Sequence, residues 1–220
     1  MLNTVRHMLQ NLKPRPTDEE TLAQEGHRQF VGGKWDQMGK LQLEFLVNHN
    51  LKPNHVFLDI ACGALRAGRL LIPYLNPGNY MGMDKHLELI EAGKAKELTP
   101  EVLRERQPQF VVSDTFEFEK LSKKPDYCIA QSLFSHLRKQ EIELCLSKLG
   151  AFAKPGCRFY ATFCQVAVPI PQLAKSHSVR SFFFTRGTME AIGKRTGWES
   201  TYIGNWNHPD GQMMMEYVKQ

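Results

Sequence analysis

From His55 onward, short apolar runs alternate with amphipathic stretches of helical period. Val56–Ile60, Tyr80–Met83, Phe110–Ser113, Asp126–Ala130 and Arg158–Phe163 read as five strands. Their apolar residues are mostly consecutive rather than alternate, which suits strands covered on both faces, as in a parallel sheet. Between them, Ala64–Leu75, His86–Glu97 and Gln140–Leu149 read as helices. The first places Gly68, Leu71, Ile72 and Leu75 on one stripe; the third places Ile142, Cys145, Leu146 and Leu149 there. Turns at Pro77-Gly78-Asn79 and Lys154-Pro155-Gly156 punctuate the alternation. Such a βαβα pattern predicts an α/β fold, an open and mostly parallel sheet wound on both faces.

The flanks depart from this rhythm. Residues 1–25 are polar, with Pro14 and Pro16, and read as an arm or short helix. After Gly32-Gly33-Lys34-Trp35, a helix is expected over Lys34–Asn48, with Met38, Leu41, Phe45 and Leu46 on one face,. Asn50 and the Lys52-Pro53-Asn54 turn end it. Residues 1–50 thus form an arm and helical cap, and 51–220 one sheet domain, in keeping with a chain of 220 residues,. Residues 165–184 interrupt the alternation with Pro169, Pro171 and Phe182-Phe183-Phe184, and read as a lid-like insertion. A helix over Thr185–Arg195 follows, then strands near Glu199–Gly204 and Met213–Val218, around the loop Asn205–Gly211. Seven strands are expected, the last antiparallel.

Composition narrows the partners. A 42% hydrophobic chain with no long uncharged apolar run offers no membrane span, and Met1–Gln10 lacks a secretory apolar core,. The five cysteines include no Cys-x-x-Cys pair, which disfavours a disulfide framework or a metal site and points to the cytoplasm,. The net charge is +5. Lys175, Arg180, Arg186, Lys194 and Arg195 against Glu190 give residues 165–195 a surplus of +4, so the rest is nearly neutral. That cluster is a solvated face or an attractor for an anion, and nucleic acid is disfavoured as a partner.

In a doubly wound sheet, ligands bind beyond the carboxyl ends of the strands. The first strand ends in Asp59-Ile60-Ala61-Cys62-Gly63, the second in Met83-Asp84, the third in Asp114-Thr115-Phe116 and the fourth in Gln131-Ser132. Asp84, 21 residues after Gly63, suits a ribose diol, whose two hydroxyls a carboxylate can accept,. The alternative is a cap for the helix His86–Glu97, and the two roles are compatible. A dinucleotide loop wants Gly-x-Gly-x-x-Gly, but Leu65 stands where the second glycine belongs,. Asp59 would also sit near any phosphate. An acid there suits a cationic ligand such as S-adenosylmethionine, which carries a sulfonium and an ammonium and no phosphate.

At this point the chain resembles the class I S-adenosylmethionine-dependent methyltransferases, over about residues 28–220. Leu58-Asp59-Ile60-Ala61-Cys62-Gly63, Gly82-Met83-Asp84, Asp126–Leu137 and Leu149–Gly156 carry the resemblance. More narrowly it is similar to a short bacterial branch acting on small molecules. That branch has a Gly-Gly-x-Trp segment, a Cys-Gly-x-Leu-Arg-x-Gly loop, a Tyr-Leu-x-Pro-Gly-x-Tyr turn and a terminal His-Pro-x-Gly-Gln. Here these are Gly32–Trp35, Cys62–Gly68, Tyr74–Tyr80 and His208–Gln212. The family's usual Asp-x-Gly-x-Gly-x-Gly has Ala61 and Leu65 in place of its outer glycines.

The resemblance implies a Rossmann-like fold and S-adenosylmethionine as cofactor. It implies cofactor contacts from Asp59 to the methionine ammonium and from Asp84 to the ribose. Ala61, Gly63 and Lys85 would lie beside them, with Asp114 and Thr115 at the adenine and Gln131 at the methionine portion. Arg66 could pair with the cofactor carboxylate or an anionic substrate, or stand solvated on its helix. Trp35 could cover the site or staple the cap to the sheet. Trp206, His208 and Gln212 face the same mouth if the last strand returns antiparallel, which makes them substrate candidates; the alternative is a Pro-Gly turn with a capping histidine. His136, just after the fourth strand, is the candidate base, since an imidazole of unperturbed pKa about 6.5 can take a proton from a hydroxyl nucleophile.

The function expected is methyl transfer to an oxygen or nitrogen of a small molecule, such as a sugar, glycan or secondary metabolite. An RNA or protein methyltransferase and a non-catalytic cofactor-binding protein are the alternatives. Against base-amino methylation, Gln131-Ser132-Leu133-Phe134 stands where an Asn/Asp-Pro-Pro-Tyr/Phe motif would be.

Overall fold

The computed structural model describes residue 24, residues 26–170 and residues 181–220. The N-terminal arm and the middle of the 165–184 insertion, with Lys175 and Arg180, lie outside the described residues. Helix α1 spans Trp35–Asn48, followed by β1 (Phe57–Ile60), α2 (Gly68–Tyr74), β2 (Tyr80–Asp84), α3 (Leu87–Glu97), α4 (Pro100–Arg106) and β3 (Gln109–Val112). A 3-10 turn, Phe118–Lys120, leads to β4 (Tyr127–Ala130), α5 (Lys139–Phe152) and β5 (Arg158–Gln165). The chain closes with β6 (Phe183–Phe184), α6 (Arg186–Arg195), β7 (Trp198–Asn205) and β8 (Met213–Lys219).

The main sheet runs β3-β2-β1-β4-β5-β8-β7. β1 pairs in parallel with both β2 and β4, so the winding reverses beside β1, the place where such sheets hold ligands,. β8 is antiparallel to β5 and to β7, which brings the end of β7 back to the same edge as the ends of β1–β4. The expected seven strands form this path. An eighth, β6, pairs with Cys164 and Gln165 at the end of β5, where β8 has already stopped at Phe163.

One expected boundary moves and one helix is added, each for a local reason. Helix α2 begins at Gly68 rather than Ala64, because Ala61, Gly63 and Leu65 all take left-handed φ angles (61°, 54° and 66°) and no helix can run through them,. Helix α4 was not expected, yet Thr99-Pro100-Glu101 is a start signal: the Thr99 hydroxyl accepts from Val102 N and Pro100 takes the first turn,.

Each face of the sheet carries its own core. On one side Leu58, Met81, Cys128, Phe159 and Tyr217 pack under α5 and α6. On the other, Phe57, Tyr80, Ile129, Tyr160 and Met214 pack under α1, α2 and α3. Helix α1 buries Met38, Gln42, Phe45 and Leu46, a stripe at i, i+4, i+7 and i+8,. Just past its end, Asn50 turns left-handed (φ 69°) and Leu51 N donates to Leu46 O, a cap of the Schellman type,. Just before α1, a helical turn at 26–30 is tied down where His27 Nε2 (2.7 Å) and Arg28 (2.8 Å, twice) meet the carboxylate of Glu97.

Candidate functional site

A cavity of about 640 Å³ opens at the carboxyl ends of β1–β4 and is roofed by residues 30–32 and α1. That volume suits a nucleoside-sized ligand. Asp59, Asp84 and Asp114, from the ends of three neighbouring strands, all line it, as do Ala61, Gly63, Arg66, Lys85, Thr115, Gln131 and His136. All the expected cofactor residues and the candidate base therefore share one cavity. Phe30, Val31, Gln42, His86 and Glu141 line it too and were not singled out from the sequence. Gln42 did leave a trace there: a lone amide on an otherwise apolar stripe.

Asp59 sits at the cavity floor, 4% exposed. Its Oδ2 accepts from the Tyr80 hydroxyl at 2.9 Å. Burial raises its carboxyl pKa to about 7, with Asp84 adding to the rise and the Tyr80 hydroxyl and Arg66 opposing it,. A carboxylate so short of counter-charge favours a cation. Gly68 makes the Tyr80 contact possible, since a Cβ there would stand 2.8 Å from the Tyr80 oxygen.

Asp84 is held by backbone donors. Gly63 N donates to its Oδ2 at 2.8 Å and His86 N to its Oδ1 at 2.9 Å. It caps no turn of α3 in the usual way, because the formal cap residue is His86. Each oxygen keeps lone pairs for a diol. Asp114 is exposed at the rim, and Phe116 beside it takes φ 58°.

Arg66 lies in the loop before α2, not on the helix as expected. Its Nη1 donates to Val31 O (2.8 Å) and Gly33 O (3.0 Å), and its Nη2 to Gln131 Oε1. Burial lowers its pKa to about 10, which leaves it charged at neutrality. It therefore pins the residues before α1 to the loop after β4.

Gln131 and Ser132 continue that chain of contacts. Gln131 Nε2 donates to Ser132 Oγ at 2.7 Å and lies 3.1 Å from His208 Nε2. Ser132, at φ 62°, is held through its N–H by Thr162 Oγ1 (2.7 Å). Gln212 Nε2 donates to Ser132 Oγ (2.8 Å), and Gln212 Oε1 accepts from the Thr162 hydroxyl (2.7 Å). Trp206 Nε1 donates to Gln212 O at 3.1 Å. His208 is buried, and that burial first, then nearby Arg66 and Lys34, brings its pKa down to about 4 despite Asp210, so its imidazole is neutral. Lys34 pairs with Asp210 across the top of this group.

The three C-terminal candidates thus reach the expected edge but stand behind the wall. Trp206, His208 and Gln212 do not line the cavity; Gln212 bonds Ser132, His208 contacts Gln131, and Trp206 bonds the Gln212 carbonyl. Trp35 is likewise outside the lining. It packs with Ala64, Leu89, Phe30 and Val31, and the Arg28 guanidinium lies 5.1 Å from its ring centroid. His136 is half-buried at the cavity wall, its N–H donating to Leu133 O, and Ser135 O beside it accepts from Phe182 N. Among the described residues, no group of His, Cys, Asp and Glu is arranged to hold a metal ion, and no helix is long and apolar enough to cross a membrane.

No protein-family model matches the chain. Solved structures do match its fold. The magnesium protoporphyrin IX methyltransferase of Synechocystis with S-adenosylmethionine bound aligns at a TM-score of 0.65 and 18% identity, over 94% of this chain and 100% of that one. An amino pentose methyltransferase of Micromonospora echinaspora, from calicheamicin biosynthesis, aligns at 0.62 and 14%, over 90% and 97%. A glycopeptide N-methyltransferase complexed with S-adenosylmethionine aligns at 0.63 and 12%, over 83% and 94%. The chain therefore has the Rossmann-like fold of the S-adenosylmethionine-dependent methyltransferases.

Proposed function

We propose that this chain is an S-adenosylmethionine-dependent methyltransferase acting on an oxygen or nitrogen of a small molecule, such as a sugar, glycan or secondary metabolite, in the cytoplasm. One observation carries the reading: a buried carboxylate, Asp59, forms the floor of the cavity at the end of β1, where a dinucleotide would need room and donors for phosphate. The residues present fit S-adenosylmethionine. Asp59 would hold its ammonium, Asp84 its ribose hydroxyls, and Asp114 and the Thr115 backbone its adenine edge, with Ala61 and Gly63 letting the chain pass close to it. Five free thiols suit a reducing compartment,.

When bound, the cofactor supplies a methyl group activated by a positively charged sulfur. The protein's part is orientation, since an in-line displacement gains most from aligned reactants. The Arg66–Gln131–Ser132 contacts hold the loop beyond β4 in place. His136, on that loop, takes the proton that the acceptor's O–H or N–H loses. Lys85 and His86 flank the opening at the end of β2.

Nucleic acid fits less well. Arg186 and Arg195, the described arginines of the basic segment, already pair with Glu190 and Glu143. Calorimetry with S-adenosylhomocysteine, followed by a mass-spectrometric search for products heavier by one methylene when protein and labelled S-adenosylmethionine are mixed with extract, tests the proposal. Micromolar binding and a labelled small product support it. No binding at high micromolar ligand refutes it, and binding without any product leaves the non-catalytic reading.

A further inference from the structure

Gln42 is a polar residue of the cavity wall with no part in the proposed mechanism. It is 3% exposed, on the buried stripe of α1 between Met38 and Phe45, and it lines the cavity. Its Nε2 donates to Met38 O at 3.1 Å, one turn back. That bond orients the amide: the nitrogen faces its own helix and Oε1 is turned from it. Gln42 lines the cavity, so the free end of its amide borders that space.

The register of the sheet locates this oxygen. Asp59 pairs with Ile129, and Ile129 with Tyr160, so the three lie side by side across β1, β4 and β5 on one face. Phe45 packs on Tyr160 with ring centroids 5.1 Å apart. On the other side of Gln42, a Cβ at Gly39 would come within 2.7 Å of Arg66 O. Gln42 lies between these two contacts on the same helical face, and so over the corner where Asp59 and Arg66 meet the cavity.

At 3% exposure the amide has little water to donate to its oxygen, and a ligand that fills the cavity displaces what there is, at a cost of about 1–3 kcal/mol unless the ligand donates in its place,. We propose that Gln42 is a second anchor for the primary ammonium of the ligand: Oε1 accepts one N–H while Asp59 neutralises the charge, so the pair selects ligands that carry a free amine. The proposal rests on the methyltransferase reading of the cavity and adds to it a residue from outside the sheet.

The test compares S-adenosylhomocysteine with the same thioether lacking its amino group, by calorimetry at pH 8, on wild type, Gln42→Met and Gln42→Glu, with the melting temperature of each ligand-free protein. Gln42→Met, of similar shape and without a polar atom, is expected to melt higher than wild type. It should bind S-adenosylhomocysteine about tenfold or more weaker, and the deaminated compound within about twofold of wild type. A purely structural glutamine would do the opposite: a lower melting temperature and equal losses for both ligands, which overturns the proposal. Should Gln42→Met not fold, Gln42→Glu decides, because it keeps the acceptor and adds charge. Its preference for the amine-bearing ligand should rise above that of wild type, and an unchanged or smaller preference overturns the proposal. Failure of wild type to bind S-adenosylhomocysteine at all overturns the underlying reading as well.

Discussion

Gly63 donates its backbone N–H to Asp84 Oδ2 at 2.8 Å, so the loop after β1 is fastened to the end of β2 by the same carboxylate that we propose for the ribose. The other oxygen of Asp84 takes the N–H of His86. One side chain thus ties together the loops that follow β1 and β2.

Asp84→Ala should therefore weaken S-adenosylhomocysteine binding by about 100-fold or more, roughly two charge-assisted hydrogen bonds plus the loss of loop support. Asp84→Asn, which keeps one acceptor oxygen, should fall between. Calorimetric affinity within about twofold of wild type in the alanine variant would remove the ribose role.

Asp59 makes stability depend on pH in an unusual direction. In the folded protein its carboxyl holds a proton up to about pH 7, against a reference of 3.8 when unburied. Between those values the folded state binds more protons than the unfolded chain, so stability falls as pH rises through that window and levels off above it. Asp59→Asn lacks the penalty. Its melting temperature should exceed wild type at pH 8, with the advantage shrinking towards pH 4, while affinity for the amine-bearing ligand is lost. A constant difference across pH would contradict this.

For His136→Ala the expected result is a kcat lowered by about 10²- to 10⁴-fold, the usual contribution of a general base. Binding of S-adenosylhomocysteine should stay within about twofold. Full turnover would assign the proton to another group.

Two non-glycine residues in the left-handed region of one loop give a paired test. Ala61→Gly relieves a strained φ at some cost in unfolded-chain entropy, and should change stability by no more than about 1 kcal/mol, in the stabilising direction or neutral. Leu65 has the same strain but is fully buried. Leu65→Gly should lose about 2–5 kcal/mol despite the relief, since the cavity it leaves outweighs it. Urea denaturation of the two variants reads the difference.

Gln212→Ala removes one partner each from the Ser132 and Thr162 hydroxyls. A loss of about 1–3 kcal/mol in the same measurement is expected. A loss below about 0.5 kcal/mol would show that water replaces the amide.

The strand–helix alternation was legible because buried parallel strands are continuous apolar runs, and Asp59, Asp84, Asp114 and Gln131 follow from asking what ends each strand. The loop after β1 was legible only in outline. Leu65 reads as helical by type, yet the backbone there keeps the left-handed turns of a glycine loop with two side chains that are not glycine. For the C-terminal loop, strand direction was enough to bring Trp206, His208 and Gln212 to the correct edge. It could not show which layer they occupy, because that depends on the Thr162 hydroxyl of β5, over 40 residues away, capturing Gln212. Gln42 and Glu141 were passed over since each has an ordinary local reading: an amide bonded back to its own helix, and an acid in a capping box with Arg138.

The direction of β8 has a practical consequence. Running against β5, it ends with Lys219 opposite Trp198 and next to Cys157, at the pole where β5 begins. An affinity tag or a surface anchor fused after Gln220 would leave from the far side of the sheet and keep the cavity clear. A fusion ahead of residue 26 would join the chain a few residues before the stretch that roofs the cavity, and an assay on immobilised protein should be built from the other end.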